Sequence, residues 1–318
     1  MKIDSLEKVV INGSEQWILV RGRSIEASLI IHVQAGPGFP IIPEAHTMEK
    51  NLHLEKDYLV AYWDQRACGK SFDKNTDPKT INFSQLTDDL ICCTKYLLEK
   101  YRKKKAIISG YSQGATLALM AAAKDTSIFD RLFLVGTDID LPTANRYAIE
   151  FAIAKASEKN KGTLLRQAVD LHRTPVNNAK LFQKRAKLLA NLGGVKSGAN
   201  YNQLLVSLIS NMIRSKAYRL SDIPKTIKGM EFCQDALLPE FNALNLFHRI
   251  ESIDVPVHFV HGKQDAISPY QTAIKYYEYL RAGKKTFTGF DHSAHMSHYD
   301  EPEKFAQLLR DTINEKDA

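Results

Sequence analysis

Short apolar runs recur along the chain at 27–33 (ASLIIHV), 58–63 (YLVAYW), 105–111 (KAIISGY), 131–136 (RLFLVG) and 255–262 (VPVHFVHG). Each is too short for a helix and rich in β-branched residues, as expected of strands buried on both faces. Between them apolar residues fall at helical spacing, as in 84–101 (SQLTDDLICCTKYLLEKY), 115–124 (ATLALMAAAK) and 271–280 (QTAIKYYEYL). Strands alternating with helices predict an α/β chain with a mostly parallel central sheet flanked by helices.

The alternation stops after about residue 140 and resumes near 251. The intervening text is helical and charged, as in 145–160 (NRYAIEFAIAKASEKN), 178–194 (NAKLFQKRAKLLANLGG) and 200–217 (NYNQLLVSLISNMIRSKA). Because strand patterning returns on its far side, the block reads as a helical cap, or lid, inserted into one core. The predicted organisation is a core of residues 1–140 and 251–318 with a cap of residues 141–250. No internal repeat interrupts it.

Composition narrows the function classes. With 318 residues, 44% of them hydrophobic, the chain can bury a sizeable core. No apolar stretch resembles an export signal or a membrane span, so the expectation is a soluble cytoplasmic protein with no membrane partner. The four cysteines, Cys68, Cys92, Cys93 and Cys233, have no C-x-x-C spacing and read as free thiols. The net charge of +7 owes much to the basic end of a predicted helix at 95–105 (KYLLEKYRKKK), where cations complement the helix dipole. No aromatic-interleaved basic motif accompanies it, so no nucleic-acid partner is expected.

Candidate chemistry begins at 109–115 (SGYSQGA), where G-x-S-x-G follows a predicted strand and opens a predicted helix. In that context the turn is sharp, small residues let strand and helix approach, and Ser112 projects at the carboxyl edge of the sheet. A serine nucleophile needs a base and an acid later in the chain. Asp265 lies on the loop after the strand at 255–262. The base falls in 290–298 (FDHSAHMSH), which holds His292, His295 and His298. His295 follows the small pair Ser-Ala, as the close passage past a nucleophile requires. A metal site is the alternative reading of such a cluster, but no acidic ligand group or H-E-x-x-H pattern accompanies it, and no metal or other cofactor is expected. Backbone donors for an oxyanion are expected from Gln113, directly after the serine, and from Gly36 in the turn 34–40 (QAGPGFP). A histidine base predicts activity that rises with pH through the region near 7.

Taken together these segments resemble the α/β-hydrolase superfamily, and within it the proline iminopeptidase-like serine hydrolases. The resemblance rests on QAGPGFP where that group has H-G-G-P-G, WDQRACGKS (63–71) where it has D-Q-R-G-x-G-x-S, GYSQG, HGKQD (261–265) and SAHMSHYDEPEKF (293–305). It implies the α/β-hydrolase fold with an inserted lid, a triad of Ser112, Asp265 and His295, and oxyanion donors at Gly36 and Gln113. Asp64 and Arg66 read as fixing a loop beside the site. In that group lid carboxylates bind the free α-amine of the substrate, and the candidates here are Glu231, Asp235 and Glu240. Gln34 and Ala35 depart from the family's His-Gly, and Gln113 from its tryptophan, which leaves the substrate open. The expected partner is a small ester or a short peptide. A proline iminopeptidase-like aminopeptidase leads; a carboxylesterase or lipase-like hydrolase of small acyl esters is the alternative, and a non-catalytic ligand-binding protein on the same fold is a third reading. The sequence carries no sign of oligomeric state.

Overall fold

In the computed structural model, which describes residues 2–315, the chain begins with a hairpin. Strands β1 (Ile3–Ile11) and β2 (Ser14–Gly22) pair antiparallel about Asn12 and Gly13, both at positive φ (45° and 74°). Asn-Gly suits such a turn because both central positions must be left-handed. The apolar runs did not predict this hairpin. Exposed and half-buried residues alternate along β1, so it has no continuous apolar run.

The runs that were predicted become β3 (Leu29–Val33), β4 (Leu59–Asp64), β5 (Ala106–Tyr111) and β6 (Phe129–Val135). Beyond the helical block follow a short β7 (Ser252–Ile253), β8 (Val257–Gly262), a short β9 (Arg281–Ala282) and β10 (Lys285–Phe290). Eight strands form one sheet in the order β1-β2-β4-β3-β5-β6-β8-β10; β7 and β9 pair separately. From β4 onward every neighbour in the large sheet is parallel. All carboxyl ends of these strands therefore meet along one edge.

Helices cover both faces: α1 (Ala45–Leu52), α2 (Phe83–Lys100) and α3 (Gln113–Lys124) in the first half. Five more, α4 (Leu141–Glu158), α5 (Gly162–His172), α6 (Ala179–Asn191), α7 (Tyr201–Arg214) and α8 (Asp222–Asn242), fill the stretch between β6 and β7. The chain closes with α9 (Tyr270–Tyr279), α10 (Ser297–Asp300) and α11 (Pro302–Asn314). Several starts are legible locally. Asp140, Asn178 and Asn200 each cap a helix by accepting the N–H three residues on, and Gln203 completes a capping box with Asn200.

Side-chain alternation divides the core. Leu29, Ile31 and Val33 of β3 pack with Leu90 and Leu97 of α2 and Leu117 of α3. Ile30 faces the other way, with Met48 of α1 and Leu309 of α11. A third apolar cluster, including Ala152, Leu171, Leu188 and Leu189, belongs to α4–α6 and takes in Ala266 from the loop after β8. No helix of the described residues is long and apolar enough to cross a membrane.

Two buried carboxylates fix the loops beside the sheet edge. Asp64, at the end of β4, accepts N–H bonds from Ile41 (2.8 Å), Ile42 (3.0 Å) and Lys70 (3.0 Å), and a bond from the Tyr218 hydroxyl. It thereby ties the turn at 34–42 to the segment between α7 and α8. Asp89 of α2 receives Arg66 through two bonds of 2.7 and 2.9 Å, and also Gln16 and Asn12 of the first hairpin. Removing one partner strands a buried charge. We therefore expect Asp89→Ala to lower the unfolding free energy by about 3–5 kcal/mol, read from the urea midpoint; a loss below about 1 kcal/mol would place the pair with exposed ion pairs instead.

Candidate active site

Ser112 stands between β5 and α3 with φ 53° and ψ −120°, a conformation that L-residues rarely adopt. The flanking glycines make it possible. A Cβ on Gly110 would lie 2.6 Å from the Gly114 carbonyl oxygen, and one on Gly114 would lie 2.3 Å from that of Val33. Without side chains there, β3, β5 and α3 close to backbone contact and the serine is pushed up at the strand ends.

Gln113 is the first residue of α3, so its N–H has no acceptor within the helix. The turn after β3 lies against it: a Cβ on Gly36 would fall 1.6 Å from Gln113 Oε1. Gly36 and Gln113 thus meet beside Ser112. Gln113 Oε1 itself is buried with no hydrogen-bond partner. Gly38 of the same turn packs under α8, where a Cβ would meet Met230 Cα at 2.8 Å and Cys233 Cβ at 2.9 Å.

The structure brings Asp265 and His295 together. Asp265 follows β8 and is 1% exposed; its Oδ1 accepts the N–H groups of Ile267 and Ser268, and its Oδ2 lies 2.8 Å from His295 Nδ1. The imidazole fits because Gly136, at φ 57°, has no Cβ; one there would stand 3.0 Å from His295 Nδ1. Likewise Gly262 lets the Ser293-Ala294 backbone pass close, since a Cβ would meet the Ala294 oxygen at 2.0 Å. Burial lowers the His295 pKa, but attraction to Asp265, the bond to it, and attraction to Asp138 and Asp300 outweigh burial and push the pKa above the ordinary 6.5.

The neighbouring histidines differ. His292 is exposed on the loop. His298 is buried among Tyr111, Tyr299 and Phe305, and burial holds its pKa well below the ordinary value. Among the described residues no group of three or more His, Cys, Asp or Glu is placed to hold a metal ion.

One residue at this edge escaped the sequence reading. Asp138, three positions past β6, is 1% exposed, and its Oδ2 accepts the Ser112 hydroxyl at 3.1 Å. Its Oδ1 accepts Ser268 Oγ at 2.7 Å. No bond joins Ser112 to His295 in this arrangement; the serine hydroxyl is spent on Asp138. The signal was available in VGTDID (135–140), an acid just beyond the carboxyl end of a buried strand, where open α/β sheets bind ligands.

Of the three helix carboxylates expected to bind an amine, two hold backbone N–H groups. Asp235 Oδ1 accepts the Ala179 N–H at 2.6 Å, at the start of α6. Glu240 Oε2 accepts the Phe83 N–H at 2.9 Å, and the residue lines a surface groove with Met120 and Arg249. Glu231 is exposed on α8.

Known proteins resemble this chain in sequence and in fold. The chain is 26% identical over 304 residues to the "Probable aminopeptidase YbaC" of Bacillus subtilis (strain 168), covering 96% of this chain and 94% of that protein. Among solved structures, a proline iminopeptidase-related protein from Thermus thermophilus superposes with a TM-score of 0.64 at 17% identity, over 98% of this chain and 97% of the other. An esterase (EaEST) from Exiguobacterium antarcticum gives 0.65 at 16%, over 96% and 98%. These two show the shared fold. The family described as alpha/beta hydrolase fold matches residues 48–302, and the chain belongs to it.

Proposed function

We propose that the protein is a serine hydrolase that cleaves an ester or amide bond through an acyl-enzyme, with Ser112 as nucleophile, His295 as base and Asp265 as acid. The carrying observation is the 2.8 Å bond between His295 Nδ1 and a fully enclosed Asp265 whose other oxygen is held by two backbone N–H groups. That bond leaves Nε2 as the ring's free nitrogen and fixes the ring by its far side. The strained Ser112 turn at the same sheet edge supplies the attacking group.

In this mechanism Ser112 Oγ turns to His295 and bonds to the substrate carbonyl carbon as Nε2 takes its proton. The carbonyl π electrons move to oxygen, and the N–H groups of Gln113 and Gly36 receive the oxyanion. Collapse expels the amine or alcohol, which leaves with the proton from Nε2. Water then attacks the acyl-enzyme by the same steps, releasing the acid and restoring Ser112. Residues 141–250 act as the cap over this site, with Gly38 beneath α8 as one point of contact.

An aminopeptidase is the leading reading, supported by the named aminopeptidase that aligns along 96% of the chain. A carboxylesterase is favoured by one observation: Asp235 and Glu240 each already commit one carboxylate oxygen to a backbone N–H, which weakens the case for them as amine ligands. Initial rates on proline p-nitroanilide and p-nitrophenyl butyrate separate the two. Anilide cleavage establishes the peptidase, and cleavage of the ester alone establishes the esterase. In either case Ser112→Ala lowers kcat by about 10,000-fold or more and abolishes labelling by a fluorophosphonate. A variant that keeps native rates would sink the serine mechanism.

The base must be neutral to accept a proton, and His295 is held above the ordinary histidine value. Activity therefore rises with pH along a limb whose midpoint lies above 6.5. A kcat/KM profile with its midpoint near pH 5 would contradict His295 as the base.

A further inference from the structure

Asp138 is a buried carboxylate that the reaction just described does not use. Its backbone is anchored by Thr116 Oγ1, which donates to the Asp138 carbonyl at 2.7 Å. Its side chain is anchored by Ser268, whose O–H donates to Asp138 Oδ1 and whose N–H donates to Asp265 Oδ1. Ser268 thus bridges the two carboxylates and sets their spacing. Burial raises the Asp138 pKa, opposed by the proximity of His295 and by the two hydroxyl bonds.

No lysine or arginine of the described residues forms an ion pair with it. Arg185 of α6 is a buried cation that acts on it only through space. That guanidinium is bonded to Asn145 and stacked 5.4 Å from Phe182. An enclosed anion without a cation in contact carries a large desolvation cost. Among the described residues its second oxygen has only the nucleophile's hydroxyl, 3.1 Å away.

Ser112 Oγ cannot point its proton at His295 while donating it to Asp138. A cation arriving at Asp138 Oδ2 would both satisfy the carboxylate and displace the serine. The α-nitrogen of an amino-acyl substrate is in the right place to do this: it is three bonds from Oγ once Oγ reaches the carbonyl carbon, about 3–3.6 Å by standard bond lengths.

We propose that Asp138 receives the α-ammonium group of the substrate and that this exchange releases Ser112 Oγ to His295. The proposal rests on the serine-hydrolase reading above and specifies its substrate class as acyl groups bearing a free, protonated α-amine. It moves amine recognition from the cap, where Asp235 and Glu240 are engaged, to the loop after β6. It also makes Asp138 a gate for the nucleophile, so that acyl groups without the cation leave the serine in its resting contact.

The test uses two phosphonate diesters that differ at one position, diphenyl pyrrolidine-2-phosphonate and diphenyl cyclopentylphosphonate. Each reacts by bonding Ser112 Oγ to phosphorus with loss of phenol. The native protein is expected to be inactivated faster by the amine-bearing compound, and Asp138→Asn to reduce that preference by about 30-fold or more. Equal inactivation of the native protein by both compounds overturns the proposal and leaves the serine mechanism standing. So does an Asp138→Asn protein that slows on both in proportion, which would make Asp138 a positioning residue for His295 alone. Failure of both compounds to label the native protein at Ser112 removes the serine mechanism and the proposal with it. If Asp138→Asn does not fold, the native preference alone decides, and its loss when the pH exceeds the pKa of the phosphonate amine confirms that the charge is what is recognised.

Discussion

Everything at the sheet edge depends on one backbone constraint, the closure of β3, β5 and α3 to contact distances around Ser112. A residue at φ 53° and ψ −120° stores about 1–3 kcal/mol of strain, and it persists only where packing leaves no alternative. The absent side chains of Gly110 and Gly114 remove the atoms that would hold strand and helix apart. Ala115, Leu117 and Ala118 are buried without measurable exposure, so α3 cannot retreat. The strain is thus supported by a fully packed interior. In the proposed mechanism the same geometry supplies both the nucleophile and, through the first N–H groups of α3, an oxyanion donor.

A second constraint is electrostatic. Two buried carboxylates, Asp265 and Asp138, share Ser268 and lie near one imidazole, while Asp300 adds a third negative charge at longer range. An enclosed histidine would ordinarily lose its proton readily, as His261 does, with its pKa pulled down to about 4 by burial. His295 shows the opposite net shift because attraction to the anions exceeds the desolvation penalty. The arrangement favours the imidazolium that proton abstraction creates. In the proposed mechanism the serine hydroxyl turns from Asp138, its acceptor in this structure, to His295.

Much of this was legible in the chain. The parallel strands announce themselves as apolar runs because both faces are covered, and G-x-S-x-G marks the turn because only glycine tolerates the contacts at 110 and 114. The first hairpin was not read, since β1 has the alternating exposure of an edge strand and its one sharp signal is Asn12-Gly13. Asp138 was missed for a different reason. An isolated acid after a strand resembles an ordinary loop residue until the fold brings Ser112 and Ser268 to its two oxygens. Glu231, Asp235 and Glu240 came from a resemblance, and spacing on a helix could not tell that Asp235 and Glu240 would be occupied by the N–H groups of Ala179 and Phe83.

The three histidines at 292, 295 and 298 make the limit plain. They share a side chain and a regular spacing, yet α10 begins only at Ser297, so the three do not lie on a common helical face. His292 remains at the surface, with its backbone N–H donating to Glu301 and its carbonyl receiving Ser197 Oγ. His298 sinks among aromatic rings, where no anion offsets burial and the neutral form prevails. His295 alone meets a carboxylate, because Gly136 and Gly262 leave room for its ring and its backbone to approach the ends of β6 and β8. What separates these rings is the partner that each one meets. Those partners are remote in sequence: Asp265 stands 30 residues before His295, and the serine lies farther still, on the turn after β5.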